Sequence, residues 1–291
     1  MNVFETSANG NLHAVKKDFK KSEQHSTVSI NTKKRRQTII GFGGAFTEST
    51  AHNINLLSPE NRTEIIDAYF GEEGAAYSLT RTHMNSCDFS VANYSYTPVE
   101  GDTALEHFSI DPDRTDILPM IKDAQAVSKE GFKIFGSPWT AAPWMKDNNN
   151  YVGGKLKKEY YDTWALFFSK YVDAYREEGI DIWGFTVENE PHGNGNNWES
   201  MHYSPEEMTD FVVNHLGPQL EADGKGDLVI MGYDQNRQGV PEWADVMYRD
   251  DTTKRYYDGM AVHWYESTYD YFPDMLDYAR NAAPEKILLQ T

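Results

Sequence analysis

The stretch Phe185 to Pro191 reads Phe-Thr-Val-Glu-Asn-Glu-Pro. Phe185, Thr186 and Val187 suit a pleated strand. Pro191 cannot donate to a ladder and biases Glu190 towards an extended backbone. A carboxyl group is thereby set at the C-terminal mouth of a strand, beside the amide of Asn189. A carboxyl held there is suited to general acid catalysis. The competing reading makes Glu190 a solvated loop residue. Glu188 also competes. Two residues earlier on a strand, it should face the same way as Glu190 and lie deeper, in a structural role inside the sheet. Asn189 should then face away unless a bulge turns it inward.

Other strand ends carry compatible groups. Arg81, His83 and Asp88 follow one another, then Trp139, then Gln235 and Asn236, then His263, Trp264 and Tyr265. Carboxylates, amides, a guanidinium and flat aromatics together suit a neutral polyhydroxylated ring: polar groups bond its hydroxyls and Trp covers its C–H face. Each has a plainer reading. Asp88 could cap a turn, Arg81 could serve a buried ion pair, and Trp139 could be core. Glu48 reads as an acid in a first helical turn. His83, His192 and His263 lack metal-ligand spacing, so no metal and no cofactor is expected.

The elements that must hold these residues alternate. The sequence predicts strands over Thr38–Phe46, Ser78–Met84, Lys133–Trp139, Asp181–Glu190, Asp227–Tyr233, Met260–Tyr265 and Lys286–Thr291. Helical patterns separate them. Ser58-Pro59-Glu60 and Ser204-Pro205-Glu206-Glu207 are helix starts. Tyr160, Trp164, Phe167, Phe168, Tyr171, Val172 and Tyr175 recur at helical spacing as a core stripe. Strand–helix alternation implies a parallel sheet, and seven such strands favour a (β/α)8 TIM barrel. Gly41-Phe42-Gly43-Gly44 has neither dinucleotide nor Walker spacing and reads as a bulge or a close backbone approach. The N-terminal 37 residues read instead as short strands, Val3–Thr6, Leu12–Phe19 and Ser26–Ile30, with a hairpin signal at Asn9-Gly10. Lys33 to Arg36 reads as a solvated turn.

Composition narrows the partners. The 291 residues carry 27 Lys+Arg against 45 Asp+Glu, a net charge of −18. That argues against nucleic acid or an anionic membrane and suits a neutral substrate. No apolar run is long enough to span a bilayer. Cys87 is the sole cysteine, so no intrachain disulfide is possible. No signal-peptide pattern opens the sequence, which leaves secreted and cytoplasmic locations both open.

The ordered set GFGGAFTEST, RTHMNSCDFS, SPWTAAPWMK, FTVENEP and AVHWYE resembles glycoside hydrolase family 30, the glucosylceramidase (acid β-glucosidase) family, from about residue 38 onward. The resemblance implies an α/β fold, a (β/α)8 barrel of residues 38–291 with strands 1 to 7 present. It also implies a side β-sandwich to which residues 1–37 contribute. It makes Glu190 the general acid/base of a retaining β-glycosidase. Asn189 would bind the 2-hydroxyl, and Asp88 and Trp139 would hold the sugar ring. Arg81 would order the carboxylates, and His263 and Tyr265 would line the site. The family's nucleophile would fall just beyond Thr291, so the resemblance casts this chain as a truncated form, inactive alone. The alternative is a catalytically incomplete glycan-binding fragment. A carbohydrate or glycoconjugate is the expected partner, with sphingolipid metabolism as one setting.

Overall fold

The computed structural model describes residues 2–8, 10–15 and 27–291. They divide into two compact units, 1–39 and 40–291. In the first, β1 (Asn2–Ser7) and β2 (Gly10–Val15) form an antiparallel hairpin in which Phe4 pairs with His13. Gly10, with φ +107°, supplies the left-handed backbone that the turn needs. Residues 16–19 of the second expected strand, and Ser26, lie outside the described residues. Residues 27–30 are irregular rather than a strand, with Val28 and Ile30 exposed. Lys33 and Lys34 fall in an exposed turn.

The second unit is a parallel seven-stranded sheet whose spatial order follows the chain. Its strands are β3 (Ala45–Phe46), β4 (Leu79–Met84), β5 (Lys133–Pro138), β6 (Gly184–Thr186), β7 (Val229–Asn236), β8 (Gly259–His263) and β9 (Ile287–Gln290). Helices connect them: α1 (Glu48–Asn55) and α2 (Pro59–Phe70), α3 (Ile117–Val127), α4 (Tyr161–Glu177), then α5 (Pro205–Phe211) and α6 (Gly217–Ala222), which a π-helical turn joins. They end with α7 (Val240–Met247), α8 (Asp251–Lys254) and α9 (Pro273–Ala282). Neighbouring strands in sequence are neighbours in space throughout, as right-handed βα units require when a sheet curls into a barrel.

Local chemistry sets the helix ends. Ser58 accepts the Asn61 N–H, with Pro59 in the first turn. Ser204 and Glu207 form a reciprocal capping box. The α4 stripe is core: Trp164, Phe167, Phe168, Tyr171 and Tyr175 are all fully buried, and Trp164 stacks on Phe167 with centroids 4.3 Å apart. Asp113 is buried among these rings and accepts hydroxyls from Tyr96 at 2.6 Å, Tyr175 at 2.7 Å and Tyr94 at 3.2 Å.

Two strands are far shorter than their sequence pattern. The fourth keeps ladder pairing only at Gly184–Thr186, because the backbone beyond it departs from extended geometry. The first pairs regularly only at Ala45–Phe46. Before that, the Phe42 carbonyl takes the N–H groups of both Ser78 and Leu79, a bulge-like irregularity. Gly43 permits it: a Cβ there would sit 1.7 Å from the Leu79 carbonyl oxygen. Gly43→Ala should therefore separate the first two barrel strands and lower stability by about 3 kcal/mol, read by denaturant unfolding.

Candidate active site

Residues facing inward recur every second position along each strand and change character with height. Leu79, Phe135, Met231 and Ala261 form a small apolar cluster within the sheet. Two residues further on come Arg81, Ser137 and His263; two further still come His83, Trp139 and Tyr265. The parity is that of an unbroken pleat. Apolar packing at one end thus gives way to a polar mouth at the C-terminal ends of the strands, the end where barrels carry their chemistry.

The mouth is organised around Asp234, a fully buried residue that the alternation rule hides. Met231, Tyr233 and Gln235 should share one face. The β7–β8 register slips between Tyr233 and Gln235, and Tyr233 and Asp234 both take left-handed backbone, φ +74° and +59°. Tyr233 consequently packs outward against Trp243 of α7, and Asp234 turns in. Its Oδ2 accepts Arg81 at 2.8 Å and the Thr186 hydroxyl at 2.6 Å; its Oδ1 meets His263 Nε2 at 2.9 Å and accepts the Thr291 hydroxyl at 2.6 Å. A carboxylate offers about four lone-pair directions, and all are taken. Arg81 Nε also donates to Ser137 Oγ at 2.9 Å, which lies 2.6 Å from Thr186 Oγ1. With one proton per hydroxyl, the chain runs Arg81 to Ser137 to Thr186 to Asp234. Burial opposes ionisation of Asp234. Arg81, His263 and Thr186 outweigh it and hold the carboxyl well below the usual range.

His263 passes this order to Glu190. Its Nδ1 faces Glu190 Oε1 at 3.2 Å while Nε2 faces Asp234, so a doubly protonated ring can donate to both side chains. Burial disfavours that charge, yet the bonds to Asp234 and Glu190 raise the ring above its ordinary value. Glu190 is itself left-handed, φ +52°, with its N–H on the Asp234 carbonyl at 3.0 Å. Non-glycine residues rarely occupy this region, and such outliers gather at functional sites. Asn189 turns inward, accepting from Arg81 at 2.8 Å. Glu188 does not face the mouth. It is fully buried and lies near Lys146 and Tyr203, a correction to the simple alternation expected here.

The remaining candidates divide. Trp139 is half-buried at the mouth with the Arg81 guanidinium 4.7 Å from its ring centroid. Tyr265 is 64% exposed, its ring 5.6 Å from His263. Asp88 sits at the rim; partial burial, then repulsion from Glu190 and Glu199, raises its carboxyl. Arg81 meets Asp234 and Asn189 rather than Glu190, so it serves as an ion-pair partner and also orders the mouth. His83 accepts the Glu48 N–H at Nε2, 3.2 Å, and gives its Nδ1 proton to the Asn85 carbonyl. His192 accepts from Trp243. Among the described residues no group of three or more His, Cys, Asp or Glu is placed to hold a metal.

Comparison with known proteins agrees with this geometry. Residues 39–291 match the glycosyl hydrolase family 30 TIM-barrel domain. The chain belongs to glycoside hydrolase family 30. It is 36% identical over 286 residues to putative glucosylceramidase 3 of Caenorhabditis elegans, covering 95% of this chain and 55% of that protein. Over 247 residues it is 36% identical to the lysosomal acid glucosylceramidase of Mus musculus, covering 82% of this chain and 48% of that one. The solved structure of an endo-β1,6-glucanase superposes with a TM-score of 0.81 at 32% identity, covering 90% of this chain and 59% of that one. The chain thus spans about half the length of these two curated relatives.

Within this family 30 barrel, the ion pair at Asp234 is the part most exposed to a single change. Asp234→Asn leaves Arg81 buried without its counter-charge and should cost about 3–5 kcal/mol at pH 7. A depressed carboxyl stabilises above its unfolded value and loses that contribution as pH falls through the folded one. The gap between parent and variant should therefore begin to close below about pH 4, as thermal unfolding across acid pH would show.

Proposed function

We propose that the protein is a retaining β-glycosidase and that Glu190 is its general acid/base. One observation carries the reading: a left-handed Glu190 at the strand mouth, held by His263 against a buried Asp234–Arg81 pair. The side chain of Glu190 is 16% exposed, open enough to meet a substrate and fixed enough to aim. In its acid form Glu190 gives a proton to the glycosidic oxygen. After the sugar is transferred to a second carboxylate, Glu190 takes a proton from water and the sugar is released with its anomeric configuration kept.

Retention by this route requires the two carboxyls to lie about 5–5.5 Å apart. We place the second at the mouth end of β9, in the residue that follows Thr291 in the whole protein. The Thr291 hydroxyl on Asp234 supports this, because it brings that strand end beside His263 and Asp234. Asn189 binds the 2-hydroxyl, Trp139 and Asp88 hold the ring, and Tyr265 lines the site. Acidic groups surround this mouth, so the substrate is a neutral sugar. The names of the relatives, glucosylceramidases and an endo-β1,6-glucanase, favour a β-linked glucoside. On this reading residues 1–37 contribute strands to a side β-sandwich.

In the whole protein, Glu190→Gln should lower turnover of a β-glucoside with a poor leaving group by about 10²–10⁴. Glycosylation by an activated aryl β-glucoside should fall far less, since that leaving group needs no proton. Equal retention of both activities contradicts the assignment, and an inverted first product seen by anomeric NMR contradicts the mechanism.

A further inference from the structure

Behind the loop that carries Glu190 lies a buried cluster that this chemistry does not use. Glu188 is fully buried, and neither carboxyl oxygen has a hydrogen-bond partner among the described residues. The buried hydroxyl of Tyr203 is likewise without one. Lys146, also fully buried, donates to Thr140 Oγ1 at 2.7 Å, the Ser200 carbonyl at 2.8 Å and the Tyr151 carbonyl at 3.2 Å. Those bonds use all three ammonium protons, which leaves none for Glu188.

The oxygens that hold Lys146 belong to the rim. Thr140 and Tyr151 lie in the segment after β5, and Ser200 in the segment after β6. The two segments are laced together: the Ser200 N–H meets the Tyr151 carbonyl at 3.1 Å, the Gly153 N–H meets Ser200 Oγ at 2.9 Å, and the His202 N–H meets the Gly154 carbonyl at 2.9 Å. Asn93, from the segment after β4, joins them through Glu199 at 2.6 Å. One buried ammonium therefore sits where three rim segments meet, next to the strand end that carries Asn189 and Glu190.

A buried carboxylate without a donor is costly. Burial pushes Glu188 well above the usual carboxylate range; attraction to Lys146 opposes this and Asp234 adds to it. Burial also pulls Lys146 down to about 8, against the attraction of Glu188 and Asp147. Tyr203 is the other titratable group facing Glu188. If Glu188 ionises, the Tyr203 hydroxyl can supply one bond and Lys146 is the neighbouring cation, so each bond Glu188 takes from the ammonium is lost by a rim oxygen.

We propose that Lys146 and Glu188 are positioning residues for the site: Lys146 pins the rim segments around Glu190 only while Glu188 beside it stays protonated. The proposal rests on the glycosidase reading for its activity readouts, and its stability readout stands apart from that reading.

In the whole protein, Glu188→Gln keeps the shape and fixes the neutral form. The alkaline limb of kcat/KM for an aryl β-glucoside should move up by half a pH unit or more. Lys146→Met should raise KM about tenfold with a smaller change in kcat, because it loosens the frame of the sugar pocket and leaves the reacting groups in place. A raised carboxyl contributes stability that is complete below its unfolded value and drains away as pH rises. Between pH 5 and 8 the parent should therefore lose about 2–4 °C of Tm relative to Glu188→Gln. Superimposable pH profiles and Tm curves for parent and Glu188→Gln overturn the proposal. So does a Glu188→Gln protein that fails to fold, since a neutral group of that shape is what the site is held to need. A Lys146→Met enzyme with unchanged KM removes the rim from it. If neither protein turns over any glycoside, the glycosidase reading has failed, and the Tm comparison still decides whether Glu188 is kept neutral.

Discussion

A carboxylate with no exposed surface holds the mouth of this barrel together. Asp234 is reached from four strands at once: Arg81 on β4, Thr186 on β6, His263 on β8 and Thr291 at the end of β9. A buried ion pair often adds little net stability, because desolvating two charges offsets their attraction. What it fixes here is geometry. Every acceptor direction of Asp234 is used, so none of the four partners can turn without stranding a buried polar group. His263 is locked on one side and can present only its other nitrogen to Glu190.

The backbone carries the complementary constraint. Tyr233, Asp234 and Glu190 all occupy the left-handed region, where each non-glycine residue costs on the order of 1–3 kcal/mol. These departures fall on adjoining strands at one height in the barrel. On β7 the slip exchanges an inward Tyr for an inward Asp. After β6 it brings Asn189 into the mouth and sends Glu188 behind it. Core packing on either side, Trp243 against Tyr233 and the α4 aromatics against Phe185, fixes both bulges in place.

These slips also mark where the sequence was legible and where it was not. Arg81, Trp139, His263 and Tyr265 could be placed because β4, β5 and β8 keep an unbroken two-residue period up to the mouth. Helix starts at Ser58 and Ser204 could be placed because their caps are local chemistry. Asp234 could not, since a strict alternation sends it outward, and the only local hint was its polar character inside an apolar run. The same alternation sends Glu188 to the barrel interior. The strand expected over Thr38–Phe46 broke down where Gly43 trades ladder pairing for close backbone contact, and periodicity does not register that difference.

Azide tests most directly the proposed action of Glu190 on a sugar at this mouth. If Glu190 is the group that activates water, Glu190→Ala in the whole protein should let the glycosyl-enzyme formed from an activated aryl β-glucoside accumulate. Azide needs no general base and can attack that intermediate in its place. Turnover should rise in proportion to azide concentration, and the product should be the β-glycosyl azide. A rate indifferent to azide, or a product of the α configuration, would contradict the account.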